Sequence, residues 1–397
     1  MVARPRNAAH GLRMLAPHPF RLFANPNAGT PGVVVLSASG FRRAKAEITS
    51  WPGYAPTKLH DLPDIARAAG VQIVRLKDEA SRFGLGSFKA LGGAYAVANV
   101  LRRKVMAAQG LPQVGSRELL SGAFADTIRA AWGAKLFGCR CVIYVHEHVS
   151  QGRRDAIARY GADVREVKGN YDDAVKHAAA TAAAEGWTVV SDTSDPGYRD
   201  IPLDVMHGYG VMAAEIVQQM AGSPPPTHVF AQAGVGALAA AVCASFWLHW
   251  GERRPCFVVV EPTGADCVYR SLQAGRPAVV EGELDTVMAG LACGEVSDQA
   301  WEVLHGGANV AVAVDDAYAL QAMRVLAAPA AGDRPVVAAE TGGVGLAALL
   351  AAQQHPALRQ ALTLDAHSRV LLLGSEGDTD TAIYRQVVGR SAEEVLA

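Results

Sequence analysis

Residues Arg82-Phe83-Gly84-Leu85-Gly86-Ser87-Phe88-Lys89-Ala90-Leu91-Gly92-Gly93 place one lysine between an aromatic side chain and a run of small residues. The segment follows a strand-like run, Val71–Leu76, and opens a helical pattern. A lysine set there is expected to be desolvated, which favours the neutral amine, the form that condenses with an aldehyde to a Schiff base. The plainer role, a surface cation at a helix start, is electrostatically poor because the helix dipole favours anions at that end.

A second stretch able to do chemistry is Gln232-Ala233-Gly234-Val235-Gly236-Ala237-Leu238, between a strand pattern and a helix pattern. Glycines let successive backbone N–H groups turn toward one point, and the helix N-terminus adds partial positive charge. A phosphate monoester is the natural guest. The Gly-x-Gly-x-x-Gly fingerprint of a dinucleotide site is incomplete here, and close helix–strand packing is the other use of such glycines. Taken with Lys89, the loop suits a phosphorylated aldehyde, of which pyridoxal phosphate is the commonest protein-bound example.

The elements that must position these groups read as an α/β chain. Strands are predicted at Val71–Leu76, Cys141–Val145, Asp163–Val167, Trp187–Ser191, His228–Gln232, Phe257–Glu261, Val310–Val314 and Arg369–Gly374. Helices are predicted at Ser87–Val105, Ala123–Phe137, Ser150–Tyr160, Asp172–Glu185, Asp204–Met220, Ala237–Trp250, Ala265–Gln273, Asp316–Val325 and Gly343–Gln353. Continuous apolar strands alternating with helices indicate doubly wound parallel sheets covered on both faces. Gly222-Ser223-Pro224-Pro225-Pro226 reads as a hinge. The expected division is a larger lobe, 1–85 plus 223–397, and a smaller mobile lobe, 86–222, with a ligand in the cleft between them.

Composition narrows the remaining classes. The 397 residues carry 37 Lys and Arg against 38 Asp and Glu, a net charge of −1 that implies no nucleic-acid surface. No apolar window of membrane-span length is present, and Met1–Ala28 lacks the apolar core of a signal peptide despite Arg4, Arg6 and Arg13. Cys139, Cys141, Cys243, Cys256, Cys267 and Cys293 are expected to be reduced, mostly buried thiols of a cytoplasmic protein. His146-Glu147-His148, with no third ligand nearby, reads as a polar loop, and no metal is expected.

Ordered blocks from about Phe41 to Thr381 resemble the fold-type II, tryptophan synthase β-like, family of pyridoxal-phosphate enzymes, and within it the 2,3-diaminopropionate ammonia-lyases. They are Pro52-Gly53-Tyr54-Ala55-Pro56-Thr57, Lys77-Asp78-Glu79 with Arg82-Phe83-Gly84-Leu85, Phe88-Lys89-Ala90-Leu91-Gly92-Gly93-Ala94-Tyr95, and Asn170-Tyr171-Asp172-Asp173. Gln232 to Ala237, Ala265-Asp266-Cys267-Val268-Tyr269-Arg270-Ser271 and Met288-Ala289-Gly290-Leu291-Ala292-Cys293-Gly294-Glu295 continue the series. Glu340-Thr341-Gly342-Gly343-Val344-Gly345 and Ser375-Glu376-Gly377-Asp378-Thr379-Asp380 close it. The resemblance implies that Lys89 carries pyridoxal 5′-phosphate, with Phe88 beside it, and that Gly234, Val235, Gly236, Ala237 and Leu238 form the phosphate cup. It places Ser375 at the pyridine nitrogen and Glu340 near the ring's edge, or else as a cap on the following helix. Asp192 matches an acidic residue beside the substrate, or else forms an Asx-turn.

One loop departs from the family. Where relatives read Thr-Asp-Gly-Asn-His-Gly, this chain has Ser121-Gly122-Ala123-Phe124-Ala125-Asp126-Thr127. The cofactor-contacting asparagine becomes Ala125, the histidine becomes Asp126, and the ammonia-lyase aspartate position becomes Ala123. Before the lysine, Ser87-Phe88-Lys89 is the form of serine and threonine dehydratase-like relatives rather than Asn-Ala-Phe-Lys. The resemblance therefore implies a pyridoxal-phosphate carbon–nitrogen lyase eliminating a β-substituent from a small amino acid, giving keto acid and ammonia. A β-replacement synthase and a catalytically weak homologue remain the alternatives, and a homodimer is expected in each case.

Overall fold

The structure is a computed structural model that describes residues 16–29, 35–115, 118–119, 141–329 and 332–397. Its main sheet has seven strands in the order β1-β8-β7-β6-β9-β3-β2. These are β1 (Phe20–Ala24), β2 (Lys58–Asp61), β3 (Ile73–Asp78), β6 (His228–Gln232), β7 (Cys256–Pro262), β8 (Val310–Val314) and β9 (Arg369–Gly374). The remaining strands, β4 (Val142–His146) and β5 (Asp163–Val167), pair in parallel as a separate two-stranded sheet.

The α/β fold class expected from the sequence is observed, with two additions at the edges. Neighbours β8 to β3 run parallel, while β1 and β2 are antiparallel to β8 and β3. Both edge strands escaped the periodicity. Lys58-Leu59-His60-Asp61 is short and polar, as edge strands facing water are, and carries no apolar run. The predicted strand Trp187–Ser191 is not formed. Its backbone is held instead by Tyr198, whose hydroxyl accepts from the Ser191 amide at 3.0 Å and donates to the Val189 carbonyl at 3.0 Å.

Alternate residues of the parallel strands enter two separate apolar layers, as the pleat requires. Val229, Ala231, Phe257, Val259, Leu371 and Leu373 pack beneath helices Lys89–Gln109, Asp200–Gln219, Ala237–Trp250 and Asp298–Gly307. Phe230, Val258, Val260, Val312, Val370 and Leu372 face the other way, against helices Pro63–Ala69, Asp316–Ala327 and Val344–Gln354. Each such side chain taken fully out of water stabilises the fold by about 1.5–3 kcal/mol. Helices Lys89–Gln109 and Asp200–Gln219 are bound so closely that Cβ atoms on Gly92 and Gly208 would meet the opposing helix at 2.4 and 2.5 Å.

Beneath these helices lies an ion network removed from water. Lys77, Glu79, Arg82 and Glu215 are each at most 1 % exposed. Arg82 donates to Glu79 at 2.8 and 2.9 Å and to Glu215 at 2.7 and 2.9 Å, while Lys77 donates to Glu215 at 2.6 Å. Thr57 donates through its amide to Glu215 and through its hydroxyl to Glu79. Burial alone would push Glu215 up, but the Arg82 and Lys77 cations outweigh it and hold the carboxyl below its ordinary value. Removing one partner of such a buried group leaves a charge uncompensated, at a cost of about 3–5 kcal/mol. Glu215→Ala is therefore expected to lower unfolding stability by that amount in urea titrations. Arg75→Ala, which loses a pair with the exposed Asp61, is expected to change stability by less than about 1 kcal/mol.

Candidate active site

Strands β6, β9 and β3 are neighbours, so the loops leaving their C-terminal ends converge. This is where open parallel sheets bind ligands. The β3 loop is shaped by backbone choices that glycine permits: Phe83, Gly84 and Gly86 have φ of 51°, 71° and 74°. Its far end is stitched to the β9 loop. Gly377 donates to the Gly86 carbonyl at 2.9 Å, and Phe88 donates to the Ser375 carbonyl at 3.0 Å. Lys89 then opens its helix, and Phe88 packs edge-on against Tyr209 with centroids 4.7 Å apart. The expectation of a desolvated lysine is not met, for Lys89 is an exposed residue.

Lys89 faces Asp192. Burial raises the Asp192 carboxyl, while the Lys89 charge and a Tyr209 hydroxyl donating at 3.3 Å pull it back down. Asp192 does not make the Asx-turn that its position after a strand-like run allowed. The amide two residues on, Ser194, donates instead to Ser297 Oγ at 2.9 Å. Ser297 in turn donates its amide to the Val235 carbonyl at 2.9 Å, which ties the Asp192 segment to the glycine loop.

That glycine loop has the form of an anion cradle. Gly236, at φ 90°, precedes helix Ala237–Trp250, which has no side-chain cap. The amides of Gly234, Gly236, Ala237 and Leu238 meet no backbone acceptor among the described residues, while the Val235 amide donates to the Cys293 thiol. A Cβ on Gly234 would lie 3.0 Å from Cys293 Sγ and 3.2 Å from the Gly290 carbonyl, so the close wall requires glycine. Cys267 donates to the Gly234 carbonyl at 3.3 Å, and burial pushes both thiols far up. The five described cysteines are free. The Lys89 charge also pulls the Cys293 thiol down, so it is felt at the wall of this loop. A helix N-terminus with free amides, within reach of a lysine charge, fits a phosphorylated aldehyde.

Ser375 lies at the end of β9, 1 % exposed, and its hydroxyl accepts from Gln232 Nε2 at 2.7 Å. Glu340 is buried too, but it does not cap the helix that follows: Gly343 occupies that position without a side-chain bond. Its carboxylate pairs with Arg153 of helix Gln151–Ala158, as does Glu376 at 3.7 Å. Ser121, Ala123, Ala125 and Asp126 lie outside the described residues. Tyr209 and Arg153 carried no motif signal, because a residue in mid-helix shows its partner only once the helices pack. His146 ends β4 rather than lying in the loop, and no metal-binding cluster is found among the described residues.

A lysine loop and a phosphate cradle meeting at the C-terminal edge of a parallel sheet define a pyridoxal-phosphate enzyme. A family model described as "Pyridoxal-phosphate dependent enzyme" matches residues 50–375. The chain belongs to that family, and pyridoxal 5′-phosphate is its cofactor. It is 39% identical over 349 residues to the diaminopropionate ammonia-lyase of Escherichia coli K12, covering 85% of this chain and 88% of the relative. The crystal structure of the holo E. coli enzyme superposes with a TM-score of 0.87 at 36% identity, covering 94% of this chain and 97% of that one. Another, in complex with an aminoacrylate-PLP azomethine reaction intermediate, gives a TM-score of 0.85 at 36% identity, with the same coverage of both chains.

Glu340 offers a test of the linked acids. Burial raises its carboxyl to about 7, against the pull of Arg153 and with help from Glu376 and Asp380. A carboxyl whose folded value lies above its unfolded value of 4.5 binds protons more tightly when folded, so its contribution is full at low pH and declines as pH climbs toward about 7. Glu340→Gln cannot titrate and is expected to gain stability relative to the native chain between about pH 5 and about pH 8 in urea unfolding. An equal difference at both values would show that Glu340 does not titrate in this window.

Proposed function

We propose that this enzyme eliminates ammonia from 2,3-diaminopropionate, or from a small amino acid with a similar β-substituent, to yield a keto acid and ammonia. The observation that carries the reading is that the Asp192 segment is tied through Ser297 to the glycine loop, with the Asp192 carboxyl within reach of the Lys89 charge. It puts two proton-transfer groups where a substrate must sit. Identity to the ammonia-lyases across most of the chain supports the substrate class.

Lys89 would hold the cofactor, and the loop of Gly234, Val235, Gly236, Ala237 and Leu238 would hold its phosphate through backbone amides. When bound, pyridoxal 5′-phosphate acts as an electron sink for the charge left when the α-proton departs. Phe88 fixes the helix start from which Lys89 extends, and Ser375 would offer the ring nitrogen a neutral hydroxyl. Glu340 stands one residue from Thr341, whose carbonyl accepts from Gln232, and from there would border the ring.

Lys89 Nζ takes the α-proton as the Cβ–N bond breaks. Asp192, as a protonated carboxyl, gives its proton to the β-amino group, so that the nitrogen takes the bonding pair and leaves as neutral ammonia. The raised Asp192 carboxyl suits that exchange, since a weaker acid exchanges protons more readily near neutral pH. The released enamino acid takes up water and loses a second ammonia, giving the keto acid. We further propose a cytoplasmic homodimer. Among the described residues no helix is long and apolar enough to cross a membrane.

Ala123, Ala125 and Asp126, where ammonia-lyases carry aspartate, asparagine and histidine, favour a second reading in which a nucleophile replaces the β-substituent. Product analysis separates the two: keto acid and ammonia alone exclude replacement. Lys89→Ala is expected to lose the visible absorbance of the bound cofactor along with ammonia release. Asp192→Asn is expected to keep that absorbance while turnover of 2,3-diaminopropionate falls by about 10²–10⁴-fold. An Asp192→Asn enzyme with native turnover would remove Asp192 from the mechanism.

A further inference from the structure

We infer that Gln232 is a positioning residue that sets the direction of the Ser375 hydroxyl, turning it into a hydrogen-bond donor toward the cofactor's ring nitrogen. The inference rests on the placement of Ser375 proposed above and adds a residue that reaches the ring only through it. Gln232 is the last residue of β6, immediately before the phosphate cradle, and is 2 % exposed.

The orientation of its side-chain amide is dictated by its surroundings. Nε2 lies 2.9 Å from the Leu373 carbonyl, 3.2 Å from the Thr341 carbonyl and 2.7 Å from Ser375 Oγ. Two of these three are carbonyl oxygens, which only accept, so the reversed amide would set oxygen against oxygen twice. The NH₂ group therefore faces these oxygens, its two hydrogens going to the nearer pair, Ser375 Oγ and the Leu373 carbonyl, with the Thr341 carbonyl a longer, shared contact, and Oε1 is left buried without a partner among the described residues.

At Ser375 the consequence is directional. One lone pair of the hydroxyl is engaged by Gln232, and no other partner for Oγ exists among the described residues. Were the ring nitrogen protonated, Oγ would have to accept twice, and its own hydrogen would be buried unpaired, which is unfavourable. Donating to an unprotonated nitrogen satisfies both groups. Gln232 thereby holds the ring nitrogen in its neutral form, the weaker electron sink, which suits elimination over side reactions that protonate the cofactor carbon.

The test is the ¹⁵N resonance of the ring nitrogen in holoenzyme reconstituted with ¹⁵N-labelled pyridoxal phosphate, followed across the pH range in which the enzyme is folded. Native enzyme is expected to show an unprotonated nitrogen throughout. Gln232→Met and Ser375→Ala are each expected to give a signal that titrates, with cofactor still bound through Lys89 and the cradle. If Ser375→Ala titrates and Gln232→Met does not, the inference fails while the Ser375 placement stands. If Ser375→Ala matches the native enzyme, the hydroxyl does not face the nitrogen and both fall. A nitrogen found protonated at neutral pH in the native enzyme overturns the inference without any variant, including the case in which Gln232→Met does not fold.

Discussion

The buried contact between Arg82 and Glu215 is the constraint on which the site depends. Charges taken out of water hold a unique geometry only when every remaining donor and acceptor is matched. Here two cations and two carboxylates, with Thr57 and Tyr54, satisfy one another. The network joins the end of β3, the turn that leads to Lys89, and helix Asp200–Gln219. Because Tyr209 lies on that same helix, one rigid element registers Phe88 through its ring and Asp192 through its hydroxyl. The relation of Lys89 to Asp192 is thus inherited from a charge network that touches neither.

Sheet order supplies the other half of the geometry. Strands distant in sequence, β6, β9 and β3, are adjacent in space, and each delivers one component: the amide cradle, Ser375 and the lysine loop. Gln232 links the first two through a single side-chain amide. Direct backbone bonds between Gly86 and Gly377, and between Phe88 and Ser375, link the last two. The site is therefore held by sheet pairing rather than by loop rigidity. Arg153 adds a bridge from the β4-β5 unit to Glu340 and Glu376.

Much of this was legible in the chain. Apolar runs located β6, β8 and β9 at their observed bounds, because fully buried parallel strands are apolar on both faces, while β5, three of whose five residues are exposed, also lies where expected. The glycine loop and Lys89 were legible because each depends on backbone freedom or side-chain chemistry that few residue types supply. Edge strands β1 and β2 were not, since a half-wet strand needs no distinctive pattern. Trp187–Ser191 had the composition of a strand, but pairing depends on a neighbouring edge, which no local window reports.

Chemical capability was determined by residue type alone: an amine at 89, a glycine turn at 234–236, a hydroxyl at 375 and a carboxyl at 192. Their mutual arrangement was decided only by tertiary structure. That Asp192 sits within reach of the Lys89 charge instead of closing a turn goes with Ser194 bonding Ser297, more than 100 residues away. That Glu340 pairs with Arg153 instead of capping its helix likewise follows from a contact across the fold. A side chain's chemistry travels with the chain, whereas the partner that selects among its possible roles is chosen by packing.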